Sequence, residues 1–571
     1  MNLYARVAPF RELDPDSLPE AELRAGFPAL LSLAEECLGA VQALQAEVQR
    51  LEAAIARLKG EHAPPTRPTP GGPAAGGTAP AAPADPASDH SSERERQART
   101  PRVPRAPRSK LLTCVPDRIE TLTLAPEALP PDAVNKGFTY WHTQDLRLEL
   151  ERICFRRAKY YSPSTQRTYL APLPPGYTSH FGPGVRALAL SLVYDAQVSL
   201  PALHTFFTDA ALDISRGQVA RLVTAGLEPF HAEQRAILQA GLAGAPWQQW
   251  DATSTPVDGG AWHCHVLTNP LYTAYHTAPR QDRAAVLDAL RGGAPRQFRL
   301  DTVAFAHFAR VGVPRKVVRE LQSWPAAVTW SAAAFRGLLE RHLPRLRADV
   351  RKDVEDGALL AAYHADPEWP VATCLLGDDA AVLPGLTAER SLCWIHDARH
   401  YTKLLPQFQF HRRQLARFRE EYWDFYAELL AYRAAPAPAE AARLEACFDQ
   451  LFSREFHWSD LRRCVERTRG NKAELLHVLA HPELPLHNNA AELAARRRVR
   501  KRDVSFGPRS EAGRRAWDTF QGLSETLRKH GVRFWAYLQD RIQQRGAIPP
   551  IAELIEQRAE ALPLGASWDK G

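Results

Sequence analysis

WQQWDATSTPVDGGAWHCHVLTNPLYTAYHTA, residues 247–278, is the stretch from which the fold can be read. Its three runs, 247–257, 261–269 and 271–278, are rich in Trp, Thr, Val and Tyr, residue types that fit a pleated, half-buried surface. Gly259-Gly260 and Asn269-Pro270 supply turns between them. Three strands joined so tightly make an antiparallel meander. Side chains alternate along a strand, so Asp251 and Thr253 share a face, and an acid in mid-strand is disfavoured unless it is exposed or needed. Asp251 is therefore the first candidate functional residue.

Beyond the meander, residues 280–368 carry a mostly helical pattern. VATCLLGDD at 371–379 then gives an apolar strand over 371–376 that ends in Gly377, Asp378 and Asp379. Acids at the C-terminal end of such a strand often face a ligand crevice. A second helical stretch, 403–480, precedes LHNNAAELAARRRVRKRDVSFGP at 486–508. There Glu492 stands near the start of a helix whose next turns bear Arg496, Arg497, Arg498, Arg500, Lys501 and Arg502. Such a basic run could be a solvated helix face, yet it directly follows Glu492, which makes contact with phosphates the better expectation. Each acid also has a plain role open to it: Glu492 as the N3 member of a capping box begun at Asn489, Asp378 and Asp379 as turn residues, Asp251 as an arginine's partner. His396 and His400 lie four apart and would share a helix face as metal ligands. Neither a third ligand nor a His-Glu-x-x-His pattern accompanies them, so a structural role or DNA contact is the better expectation.

Toward the N-terminus, Val41, Leu44, Val48, Leu51, Ile55 and Leu58 recur at alternating steps of three and four, which predicts a coiled coil and a homodimer. Gly60 to Ser109 is rich in Pro, Ala and Gly and ends in Arg94, Arg96, Arg99, Arg102, Arg105 and Arg108, a flexible basic linker. Residues 111–182 read as a small strand-containing module that includes ERICFRRAKYYSP. In 183–245 the pattern is helical, and a polar turn at Asp213 to Ser215 precedes a helix with Arg216 and Gln218. That arrangement fits a helix-turn-helix inserting these two side chains into a DNA groove, and it equally fits two ordinary packed helices.

The 571 residues are 45% hydrophobic, enough for several domains with sizeable cores, and the net charge of +7 permits a nucleic-acid partner. Eight cysteines are scattered without a Cys-x-x-Cys pair, which fits a reduced cytoplasmic compartment and predicts no zinc. Neither a signal pattern at the N-terminus nor a run of about 18 uncharged apolar residues is present, so no membrane association is expected.

Four phrases in order resemble the insertion-sequence-66 transposase family: WDATSTPV at 250–257, LLGDDAAV at 375–382, LCWIHDARHYTKL at 392–404 with its Cys-Trp-x-His motif, and the Asn-Asn-Ala-x-Glu helix beginning at Asn488. GLSETLRKHGVRFWAYLQDRI at 522–542 extends the likeness, which covers roughly 180–545. The resemblance implies an α/β, RNase H-like mixed-sheet core over 246–545 with helical insertions at about 280–368 and 403–480, and a tail from 546 to 571. It implies a DDE triad of Asp251, Asp378 and Glu492 holding two Mg²⁺ or Mn²⁺ ions, with Asp378 preferred over Asp379. It further implies a bacterial, nucleoid-associated enzyme that binds transposon terminal repeats, cleaves phosphodiesters and joins 3′ ends to target DNA. The alternative is a non-catalytic or host-recruited DNA-binding protein of the same descent. Many relatives carry paired cysteines before the core, whereas YYSPSTQRTY stands there in this chain and Cys154 is alone.

Overall fold

The computed structural model describes residues 148–568 without a break, parts of 115–146, and Leu30, Leu33, Ala34, Cys37, Glu47 and Val48. Of the coiled coil expected over 30–58, these six residues are helical and the rest lies outside the described residues, as does the basic linker. The expected strands of the 111–182 module are a short exposed hairpin, β1 (Lys159–Ser162) with β2 (Arg167–Leu170).

Four helices follow: α1 (Pro183–Leu190), α2 (Leu200–Asp209), α3 (Arg216–Thr224) and α4 (Glu228–Ala243). Then comes the predicted meander, β3 (Trp247–Val257), β4 (Gly260–Thr268) and β5 (Thr273–Ala278), antiparallel throughout. The first turn is Asp258-Gly259, one residue earlier than expected, and Gly260 enters the strand opposite Val257. Both turn residues have positive φ, 48° and 77°, the type I′ geometry that an Asp-Gly pair favours in a two-residue hairpin. At the second turn, the Asn269 side chain accepts from the Leu271 N–H at 2.8 Å.

The expected helical stretch after the meander holds α5 (Arg283–Leu290), α6 (Thr302–Val311), α7 (Arg315–Gln322), α8 (Ala332–His342) and α9 (Ala348–His364). It also holds a small ribbon of β6 (Gln297–Arg299) and β7 (Thr329–Ser331) that the sequence pattern did not announce. The chain returns to the sheet as β8 (Cys374–Gly377), a shorter strand than predicted, and β9 (Glu389–Leu392). β8 lies parallel to β3 and β9 parallel to β8, giving a mixed five-stranded sheet in the order β5-β4-β3-β8-β9.

After α10 (Trp394–Thr402) the second helical stretch comprises α11 (Gln409–Ala434), α12 (Pro438–Phe452), α13 (Ser459–Gly470) and the single turn α14 (Lys472–Leu475). Next come α15 (Asn489–Ser505), α16 (Glu511–Lys529), α17 (Phe534–Gln543) and α18 (Ile551–Ala561). The expected tail thus contains a helix, which packs on α4, and the Trp247 indole donates to the Leu564 carbonyl at 2.9 Å.

Burial divides the sheet's two faces. Trp250 and Leu267, cross-strand partners, belong to the large core shared with α1–α9 and α16–α18. Asp251 pairs with Val266, so these two point to the opposite face, where Cys264, Val266 and Tyr275 meet Ala494 and Ala495 of α15. The helices from 394 to 475 have a separate core around Trp394, whose indole meets Tyr422, Phe425 and Phe448. Among the described residues no helix is long and apolar enough to cross a membrane.

Candidate active site

The parallel ladder of β3 and β8 ends with Gln249 opposite Leu376, and two residues further along lie Asp251 and Asp378. Between them, Gly377 leaves room for the Leu383 side chain, 3.0 Å from where a Cβ would sit, while the Trp250 carbonyl oxygen lies at ordinary contact distance, 3.4 Å. Asp251 Oδ1 accepts from the Ala252 N–H at 2.8 Å, and Asp378 Oδ1 from the Ala380 N–H at 3.2 Å, so a local backbone donor orients each carboxylate.

Glu492 reaches the same place from α15. The start of that helix is moored to the sheet by side chains rather than by a cap: the buried Asn488 amide donates to the Trp250 carbonyl at 2.6 Å, and the Ala491 N–H donates to Gln249 Oε1 at 3.4 Å. No side-chain capping bond exists at this terminus, so the capping-box role for Glu492 is set aside. At the other end, Gly507 has φ +94°, and a Cβ would lie 2.2 Å from the Pro256 carbonyl oxygen, while Asp258 N–H donates to Pro508 O at 2.8 Å. Only glycine lets the helix exit lie so close to the β3–β4 hairpin.

The Cys-Trp-x-His motif clasps this helix start. Asn488 N–H donates to Cys393 Sγ at 3.2 Å, Trp394 N–H to the Leu486 carbonyl at 3.0 Å, and His396 Nε2 stands 3.4 Å from Glu492 Oε1. From the next turn of α10, Arg399 Nη2 donates to both Glu492 oxygens, at 3.1 and 3.0 Å. Sequence reasoning did not single out Arg399, though it stood inside the quoted motif.

Electrostatics tie the acids together. Burial, with the charges of Glu492 and Asp378 added, raises the Asp251 carboxyl to about 7 against the pull of the Ala252 N–H and Arg399. His396 is lowered, chiefly by burial and also by Arg399, while Glu492 and Asp378 oppose the shift. The three acids are neighbours without all converging on one point, because Glu492 is turned to Arg399 and His396. Among the described residues, the group whose donor atoms do gather within 4.8 Å is Glu389, His477 and His481.

Several expected contacts are corrected. Arg497, Arg498 and Lys501 are buried and cannot offer their charge to a phosphate in this arrangement. Arg497 binds Asp195 at 2.7 Å, Ser524 at 3.0 Å and Glu525; Arg498 binds Asp518 at 2.6 Å; Lys501 donates to the Val198 carbonyl at 3.1 Å. Their positions continue the stripe of Ala491, Ala494 and Ala495 at helical spacing, a signal that marks them as inward-facing. Arg496 and Arg500 are exposed, and Arg502 is half-buried against Ser254, 3.0 Å from its hydroxyl.

Asp379 is an ion-pair residue, 3.4 Å from Arg390 and 3.0 Å from Arg467. His400 Nδ1 accepts from Arg467 at 3.1 Å, a structural contact of the kind expected for it. Gln218 is the N3 partner of Ser215 in a capping box at the start of α3, whereas Arg216 is exposed. The sequence spacing Ser-x-x-Gln held that signal.

No family model matches the chain. The uncharacterized protein y4jO of Sinorhizobium fredii (strain NBRC 101917 / NGR234) is 31% identical over 326 residues, which is 57% of this chain and 100% of that protein.

Proposed function

The chain belongs to the family of the Sinorhizobium fredii protein y4jO, and we propose that it is a DDE transposase built on an RNase H-like core. The observation that carries this reading is that Asp251 on the central strand, Asp378 just past the adjacent parallel strand, and Glu492 on a helix across the same face are close enough for the latter two charges to act on Asp251. The strand order, with an antiparallel meander extended by two parallel strands, supports it, as do the four ordered motifs that resemble the insertion-sequence-66 family.

Three carboxylates offer the hard oxygen donors that Mg²⁺ or Mn²⁺ prefers, and a divalent cation would favour the ionised form of Asp251, whose carboxyl is lifted chiefly by burial and further by Glu492 and Asp378. Asp251, Asp378 and Glu492 would hold two such ions, which supply an activated water and stabilise the leaving oxygen of a phosphodiester. The chain's own part is positioning. Asp251 and Asp378 are fixed by backbone N–H groups, and Asn488 fixes the approach of Glu492. Arg399, 41% exposed in its side chain, is placed to exchange Glu492 for a DNA phosphate. Arg496 and Arg500 extend that basic surface, and Arg216 on α3 supplies a second DNA contact. The reaction is hydrolysis at a transposon end followed by attack of the freed 3′-hydroxyl on target DNA, with no covalent protein intermediate. Dimerisation through the N-terminal heptads and residence in the bacterial cytoplasm at the nucleoid complete the proposal.

Purified protein with Mn²⁺ will nick or join DNA carrying its own terminal repeats. Asp251→Ala will abolish this and leave DNA affinity unchanged, as read by strand-transfer gels and mobility shifts. Equal cleavage by the variant would remove the catalytic assignment. DNA binding without cleavage by the unaltered protein would favour the host-recruited binding protein instead.

A further inference from the structure

Glu389, His477 and His481 come from the start of β9 and from the turn that closes the second helical stretch. His477 Nε2 lies 3.0 Å and His481 Nε2 3.6 Å from one oxygen, Glu389 Oε2. Donors on a tetrahedral ion at the usual Zn–N and Zn–O lengths lie about 3.3 Å apart, so these two separations bracket the required value. The outer contacts also have the pattern of a metal-bound imidazole. His481 Nδ1 is 2.6 Å from Ser567 Oγ, and that hydroxyl donates to Glu483 Oε1 at 2.7 Å. A hydroxyl that donates to the carboxylate must accept from the ring, which puts the His481 proton on Nδ1 and leaves the Nε2 lone pair facing the cluster. Trp568 stacks on His481 with ring centroids 3.7 Å apart and donates to Glu389 Oε2 at 3.1 Å, roofing the group.

We propose that Glu389, His477 and His481 bind one divalent d-block cation of the Zn²⁺ class, with water in the fourth position, as a structural clamp. Two imidazoles and one carboxylate suit such an ion far better than Mg²⁺, which takes oxygen donors. The clamp is separate from the three acids. Glu389 pairs with Cys374 at the start of β8, whereas Asp378 follows its end, roughly 13 Å away along the strand. Its ligands join the two ends of the excursion that runs through α10 to α14, and His481 lies 11 residues before Glu492. The ion would therefore fix where the chain re-enters the catalytic sheet just ahead of the third acid. This holds whatever reaction those acids perform.

The test uses the full-length protein stripped with a chelator and titrated with Zn²⁺ against a chromophoric competitor, with bound metal counted by mass spectrometry. The unaltered protein and Asp251→Asn should each bind one Zn²⁺ per chain at this site. Glu389→Gln and His481→Gln should each weaken binding by about 100-fold or more, and Ser567→Ala, which leaves every ligand in place, by about 10-fold. Co²⁺ should give the visible absorption of a four-coordinate site in the unaltered protein and lose it in His481→Gln, with circular dichroism confirming that the variant is folded. Zinc affinity unchanged in Glu389→Gln and His481→Gln, loss of the ion in Asp251→Asn alone, or no zinc bound by the unaltered protein would each overturn the clamp. If His481→Gln fails to fold, an unchanged affinity in Ser567→Ala would do the same.

Discussion

Asp251 sets the pH behaviour of the candidate site. Its carboxyl holds its proton to about 7 in the folded chain, against an ordinary value of 3.8, because it is buried beside two further carboxylates. As pH rises from about 4 toward 7, the unfolded chain gives up this proton first, so folding stability falls across that window and the full penalty stands above pH 7. Asp251→Asn removes the penalty. It should stabilise the metal-free protein at pH 8 by about 1–3 kcal/mol and give no such gain at pH 4, as measured by urea unfolding in chelator. A variant no more stable than the parent at pH 8 would contradict this account. Asp251 was legible in the sequence because an acid in mid-strand conflicts with its surroundings. Arg399 was not, since an arginine inside a helix is unremarkable until its partner, 93 positions away in the chain, is known.

At the scale of elements, α15 was read correctly as a helix and incorrectly as a continuous basic surface. The density of arginine suggested exposure, whereas three of its cations serve the interior. Arg498 is fully buried, lies over the rings of Tyr275 and Trp517, and binds Asp518 of α16, which also accepts from Thr277. Burial pushes Asp518 up, but Arg498 and Arg514 win and hold it below the usual carboxylate range. Removing one partner leaves a charge in the core, so Asp518→Ala should cost about 3–5 kcal/mol in urea unfolding, whereas Arg496→Gln on the exposed face should change stability by less than about 0.5 kcal/mol. Similar small losses in both would refute the burial argument. The short strands β6, β7 and β9 escaped sequence reading for a different reason: three or four residues are too few to display an alternation.

Across the whole molecule, both helical stretches were legible as helix, but their relation to the sheet was not, since periodicity says which face is apolar and nothing about what covers it. The first shares the main core through Phe298, Phe308 and Phe335. The second has its own core through Leu415, Phe418, Tyr426 and Phe452. Hydrogen exchange should therefore resolve 409–470 as a separate opening unit, distinct from β3–β5 and α16. A single protection class across both would show that the two cores unfold as one. The placement of Glu492 beyond this second core has a consequence for synthesis. Asp378 leaves the ribosome 114 residues before Glu492, an interval of roughly 6–23 s at ordinary elongation rates. Throughout that interval, and in any product cut short within it, the nascent chain carries two acids and lacks the third. The capacity proposed for this protein is therefore withheld until synthesis has passed Glu492, a delay set by the order of its parts.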